Sequence, residues 1–178
     1  MVSVYNYLIV SVLGTNRTGI LSELSRSYAQ YGCNLLHAKI NVLGQDVAAF
    51  FFLAGNWGAI AKLEAALPAL EQRLSLTIQS RRTQELPSTH PLMTYTVQVI
   101  AVDRSGLLNE LLDLFQKEAA IIEEASAHTY PNSTGTTMLN IQLKIHLPTT
   151  VHLATLRDAF MNYCDNHNFE GFLDPARN

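Results

Sequence analysis

Asn16-Arg17-Thr18-Gly19-Ile20-Leu21-Ser22-Glu23-Leu24 and Asp103-Arg104-Ser105-Gly106-Leu107-Leu108-Asn109-Glu110-Leu111 are one segment written twice, 87 residues apart. The same offset sets Val10 on Val97 and Val12 on Val99 before the segment, and Tyr28 on Phe115 after it. Further on, Ile60, Leu63, Leu67 and Leu70 repeat as Leu153, Leu156, Phe160 and Tyr163, now 93 residues apart. Six residues therefore enter between the two blocks. Their place is the turn-rich Tyr130-Pro131-Asn132-Ser133-Thr134-Gly135, which stands where the first copy has the short Leu43-Gly44-Gln45-Asp46. A fixed internal period means one structural unit used more than once.

Each copy reads the same way. Tyr5–Leu13 alternates between two faces and predicts a strand. Gly19–Tyr31 puts Ile20, Leu21, Leu24, Tyr28 and Tyr31 on one helical face, and Gly32 stops that helix. Leu35–Val42 and Val47–Ala54 predict a hairpin, Trp57–Leu70 a second helix, and Leu74, Leu76 and Ile78 a last strand. The second copy gives Thr94–Ala101, Gly106–Glu118, Ile121–Thr129, Thr136–His146, Thr150–Asn166 and a strand near Phe169–Leu173. The expected fold class is α+β: two tandem ferredoxin-like βαββαβ modules, antiparallel sheets with helices on one face. The modules are expected at 1–82 and 92–178. The polar, twice proline-bearing stretch Arg81–Pro91 reads as the join, with 83–91 as its linker. Each sheet then has an open face, and its apolar strand residues call for a cover, within the chain or in a homodimer.

Of the 178 residues, 48% are apolar and only 15% are charged, which excludes a disordered chain. Formal net charge is -3, from 12 basic and 15 acidic residues, so a direct grip on nucleic-acid phosphates is not expected. Residues 1–86 hold seven basic and five acidic residues, net +2, and residues 87–178 hold five basic and ten acidic, net -5. That asymmetry suits pairing of the halves, a docking face for a basic partner, or plain solvated surface. Cys33 and Cys164 lack CxxC spacing, and the six histidines form no HxxxH pair, so neither a disulfide framework nor a metal site is expected. The start Met1–Tyr7 lacks a basic signal-peptide opening, and no apolar run reaches the roughly 18 residues of a membrane span. A cytoplasmic protein is expected.

The repeated segment sits between the first strand and first helix of each unit. A helix start offers unpaired backbone N–H groups and a partial positive charge, which suit a carboxylate or phosphate. Glycine lets a ligand or the backbone approach. Asn16 or Asp103 can accept from an amine, so the loop has the donors and acceptor that an α-amino acid needs. The same residues make an ordinary capping sequence, and the local chemistry favours capping, with Gly19 and Gly106 allowing close helix–sheet contact. Arg17 and Arg104 are either solvated or paired with acidic groups across an interface.

These segments resemble the D-R-x-G-[IL]-[LV] signature of ACT domains, and Gly32-Cys33-Asn34-Leu35-Leu36 is similar to the Gly-x-Asn-Ile that opens their second strand. Two such modules with nothing else attached resemble the glycine cleavage system transcriptional repressor family. The resemblance implies a non-enzymatic regulator without cofactor, responsive to a small amino acid such as glycine and acting on a LysR-type activator protein rather than on DNA. It implies ligand-binding positions at Asn16, Arg17, Gly19, Ile20, Leu21 and Asn34, and at Asp103, Arg104, Gly106, Leu107 and Leu108. The copies depart from the pattern in different places. Asn16 stands where the pattern has Asp, and Ala119-Ala120-Ile121-Ile122 lacks the strand-opening Asn.

Other readings share the element order. An RNA-binding sheet needs a basic-Gly-aromatic-x-aromatic third strand; Val47–Leu53 has three aromatics without the basic-Gly, and alternation sends Phe50 and Phe52 to one face and Phe51 to the other. An acylphosphatase-like enzyme would use Arg17 or Arg104, but lacks the Gly-rich phosphate loop. Glu123 and Glu124, adjacent on a strand, point to opposite faces, poor geometry for a carboxylate dyad. A ligand-free adaptor fits the same fold.

Overall fold

The computed structural model describes residues 6–84 and 92–176. The chain divides into two compact units, Met1–Pro87 and Ser88–Asn178. In the first, β1 (Asn6–Thr15), α1 (Ile20–Gln30), β2 (Asn34–Leu43), β3 (Asp46–Gly55), α2 (Trp57–Leu74) and β4 (Thr77–Thr83) form an antiparallel sheet in the order β2-β3-β1-β4. In the second, β5 (Leu92–Val102), α3 (Leu107–Gln116), β6 (Ile121–Pro131), β7 (Thr137–Pro148), α4 (Leu153–His167) and β8 (Glu170–Pro175) repeat it as β6-β7-β5-β8. This is the βαββαβ pattern twice.

Period two sorts each sheet into a core face and an open face. On β1, Leu8, Val10 and Val12 are buried while Ile9 and Leu13 are exposed. The core face meets one stripe of each helix: Ile20, Leu24 and Tyr28 from α1, and Ile60, Leu63, Leu67, Leu70 and Leu74 from α2. In the second unit Val97, Val99 and Ala101 meet Leu107, Leu111 and Phe115 of α3 and Leu156, Phe160 and Cys164 of α4. Removing these side chains from water is the main drive for each unit to close, at roughly 25 cal/mol per Å².

Three expectations need correction. Leu74 is not a strand residue: it continues the helical spacing 60-63-67-70-74, and α2 runs through Pro68 to a left-handed Ser75 at φ 54. The strand begins later, at Thr77, so Arg81, Arg82 and Thr83 belong to β4 rather than to the join, opposite Ile9, Leu8 and Tyr7. Arg82 is fixed there by two-pronged hydrogen bonds to Glu64 of α2, the shortest 2.6 Å. Tyr5, where the first strand was expected to start, and residues 85–91 of the expected join lie outside the described residues.

The third correction concerns Glu123. A bulge between Ile122 and Glu124 breaks the alternation. Glu123 reaches Lys144 at 3.0 Å and His146 at 2.9 Å, both on the open face. The register sets Glu124 opposite Lys144 as well. The two glutamates share a face instead of straddling the strand.

Candidate functional site

The repeated segments form matching loops. After β1 the Asn16 amide donates to the Gln45 carbonyl at 2.9 Å, and after β5 the Asp103 amide donates to the Thr137 carbonyl at 3.0 Å, so each loop is tied to the neighbouring hairpin. Gly19 (φ 87, ψ -11) and Gly106 (φ 87, ψ -5) occupy the N-cap positions of α1 and α3. Neither helix has a side-chain cap. The capping role expected of Asn16 and Asp103 is therefore overturned: the cap is a glycine in a left-handed conformation that other residues adopt only with strain. Close helix–sheet contact is not the reason for these glycines either, because a Cβ on Gly19 or Gly106 would meet nothing within 4 Å.

The expected site residues separate into two groups. Asn16, Arg17, Gly19, Asp103, Arg104, Gly106 and Asn34 are exposed. Ile20 and Leu107 are core residues, each 1% exposed, and Leu21 and Leu108 pack at the core margins. The exposed ones stand beside the uncapped first turn of α1 or α3, except Asn34, which opens β2.

The two arginines are not equivalent. Arg104 holds the Glu110 carboxylate with two bonds of 2.6 Å, one to each oxygen. The Tyr163 hydroxyl of α4 donates to the same carboxylate at 2.7 Å. The guanidinium also stands 5.6 Å from the centre of the Phe169 ring, which meets Tyr163 and His167. The Arg104 guanidinium, and after it the Tyr163 hydroxyl, hold the Glu110 carboxyl down at about 2. Burial, and then the bond to Glu110, push Tyr163 up to about 12. Among the described residues Arg17 has one, longer contact, 3.5 Å to Glu23. Both arginines thus pair within their own unit, with the glutamate one helical turn into the following helix.

Sequence reading missed Tyr163 and Phe169 as partners of this loop. One signal was present: Tyr163 stands in the repeat where the first copy has Leu70, a polar tip added to an otherwise apolar stripe. In the first unit Leu70 is a core residue with no hydroxyl to offer Glu23.

The aromatic third strand resolves as alternation required. Phe51 is buried edge-on to Tyr28 at 5.2 Å, while Phe52 stacks on Tyr7 on the open face and Phe50 is exposed. Both cysteines are free and buried, and burial raises both thiols, Cys164 to about 11. No group of three or more His, Cys, Asp or Glu residues could hold a metal among the described residues. No helix among them is long and apolar enough to cross a membrane.

The sequence model of the ACT domain family matches residues 6–81. Proteins named glycine cleavage system transcriptional repressor from Escherichia coli (strain K12) and Shigella flexneri are each 29% identical to this chain over 170 residues, 95% of it and 90% of theirs. Among solved structures, one assigned as a glycine cleavage system transcriptional repressor superposes with a TM-score of 0.74 at 24% identity, covering 99% of this chain and 100% of that one. An unknown protein from Galdieria sulphuraria gives 0.76 at 21%, covering 97% and 99%. At those identities the structures speak for the fold. With the duplicated β-α-β-β-α-β units and their matched glycine-capped loops, the chain is a tandem pair of ferredoxin-like modules, the first of which matches the ACT domain model, and it is similar to glycine cleavage system transcriptional repressors along 95% of its length.

Proposed function

We propose that this chain is a non-enzymatic regulator of the glycine cleavage system, responsive to a small amino acid and acting through a protein partner. The observation that carries the reading is similarity to a glycine cleavage system transcriptional repressor across 95% of this chain and 90% of that protein. The partner by resemblance is a LysR-type activator, and the effector by resemblance is glycine.

The loops supply the chemistry. An uncapped helix start presents amide hydrogens and a partial positive charge to a carboxylate. Arg17 adds a guanidinium and Asn16 a carbonyl acceptor for an ammonium group, whereas Asn34 pairs with Ala54 and lies level with Tyr7, at the other end of the same sheet. We assign the responsive loop to the first module, because Arg17 is held by one 3.5 Å contact whereas Arg104 is committed to Glu110 from both nitrogens. An effector shifts the population that binds the partner only if it binds two arrangements of the protein with different affinity. In the second module the same loop is spent on its own helix and ring, which favours a docking rather than a sensing role there.

The test is genetic and biochemical together. A strain lacking the chain should lose repression of its glycine cleavage genes. Purified chain should shift a LysR-type activator–DNA complex while leaving the free DNA unmoved. Unchanged expression in the deletion strain, or a shift of free DNA, would overturn this reading.

A further inference from the structure

The open face of the second unit carries a hollow of about 430 Å³ lined by Thr96, Gln98, Gln142, Phe172 and Asp174 over Val97 and Leu143. Its chemistry is one-sided. No lysine, arginine or histidine lines it, and its one charged group is the Asp174 carboxylate, which has no ion-pair partner among the described residues. Phe172 is 46% exposed although its neighbours are polar. Gln98 and Gln142 lie opposite each other in the β5–β7 register, and the Gln98 amide nitrogen donates to Asn140 Oδ1 at 3.2 Å, which leaves its carbonyl oxygen as the acceptor on this wall. Glu170, two residues before Phe172 on β8, shares its face, so the ring lies between two carboxylates.

The fold does not require this arrangement, as the first copy shows. By the repeat and the strand registers, Gln98 corresponds to Ser11, Gln142 to Phe50, Phe172 to Gln79 and Asp174 to Arg81. The same place in the first module carries the opposite charge and puts its aromatic ring on a different strand.

Carboxylates without a cation repel phosphate, which argues against a nucleic acid stacking on Phe172. A guanidinium suits every wall. It only donates hydrogen bonds, pairs two-pronged with a carboxylate and lies flat on an aromatic ring. Residues 87–178 carry net -5, which draws in a basic surface.

We infer that this hollow seats an arginine side chain presented by a basic segment of a protein partner, between the Phe172 ring and the Asp174 carboxylate. The inference rests on the proposal that the chain works through a protein.

The test uses the full chain and a labelled heptapeptide, Gly-Ser-Arg-Gly-Arg-Ser-Gly, read by fluorescence anisotropy, with lysine and citrulline counterparts. Saturable binding of the arginine peptide is expected, with side-chain amide resonances of Gln98 and Gln142 moving in parallel. Phe172→Ala and Asp174→Asn should each weaken it about two- to fivefold, the range of one exposed cation–ring or ion-pair contact. Both side chains are exposed, and matched melting curves confirm folding. Equal binding of the citrulline peptide, wild-type affinity in both variants, or displacement by single-stranded oligouridylate would overturn the seat. If the seat fails while the chain still binds amino acids and still represses, the regulatory reading stands without it.

Discussion

Replacing Gly106 by alanine isolates the backbone term that shapes the loop. Gly106 sits at φ 87 and ψ -5, and a Cβ there meets nothing within 4 Å, so packing adds no penalty. The hydrogen bond from the Glu110 amide to the Gly106 carbonyl is kept. What remains is the left-handed conformation, which costs an L-residue about 1–2 kcal/mol. For a unit of this size that lowers its melting temperature by about 4–16 °C. Urea unfolding should show a lower midpoint at unchanged slope. Asparagine, which tolerates this region better, should recover part of the loss. Gly171→Ala is the steric counterpart. Its Cβ would fall 2.4 Å from Cys164 Sγ and 3.0 Å from Phe160 Cζ. That overpacking costs about 1–3 kcal/mol and should be relieved by Cys164→Ala. A Gly106→Ala protein as stable as wild type, or one rescued by making space nearby, would refute the reasoning.

Further outcomes follow from the same contacts. The Glu110 carboxyl sits at about 2, against an ordinary 4.5, so its bonds to Arg104 and Tyr163 stabilise the fold fully above pH 4.5 and fade as the pH falls to about 2. Glu110→Gln should flatten that limb of the acid-unfolding curve, and an unchanged limb would contradict the network. The Tyr28 hydroxyl is buried without a hydrogen-bond partner among the described residues, while its ring packs on Phe51. Tyr28→Phe should therefore raise stability by about 1 kcal/mol in thermal melts, and a loss would mean the hydroxyl is satisfied. Arg82→Ala should lower the melting midpoint of the first unit slightly through loss of the exposed pair with Glu64, whereas a residue in an unstructured join would have no effect.

The fold was legible because two periodicities recur in both copies. Alternation in Val10-Ser11-Val12 and helical spacing in Ile60, Leu63 and Leu67 each point to one element, and repetition confirms the order. Leu74 failed because three residues spaced by two, Leu74, Leu76 and Ile78, imitate a strand when only the short window is read. The longer helical stripe outweighs it. Glu123 failed because a bulge is a backbone event that leaves no mark on hydropathy. The position of the loops was legible; their chemistry was only partly so. Asn16 and Asp103 look like caps, and only backbone angles show that a glycine holds the cap position. The commitment of Arg104 depends on Tyr163, which lies 59 residues away and meets the loop only after α4 has packed.

Calorimetric titration of the purified protein shows directly whether the chain senses a small amino acid. Glycine, serine and the other small amino acids should be titrated into the wild type, Arg17→Ala and Arg104→Ala. Saturable heat is expected with at least one of them, lost in Arg17→Ala and kept in Arg104→Ala. No heat from well-folded protein with any amino acid would contradict it.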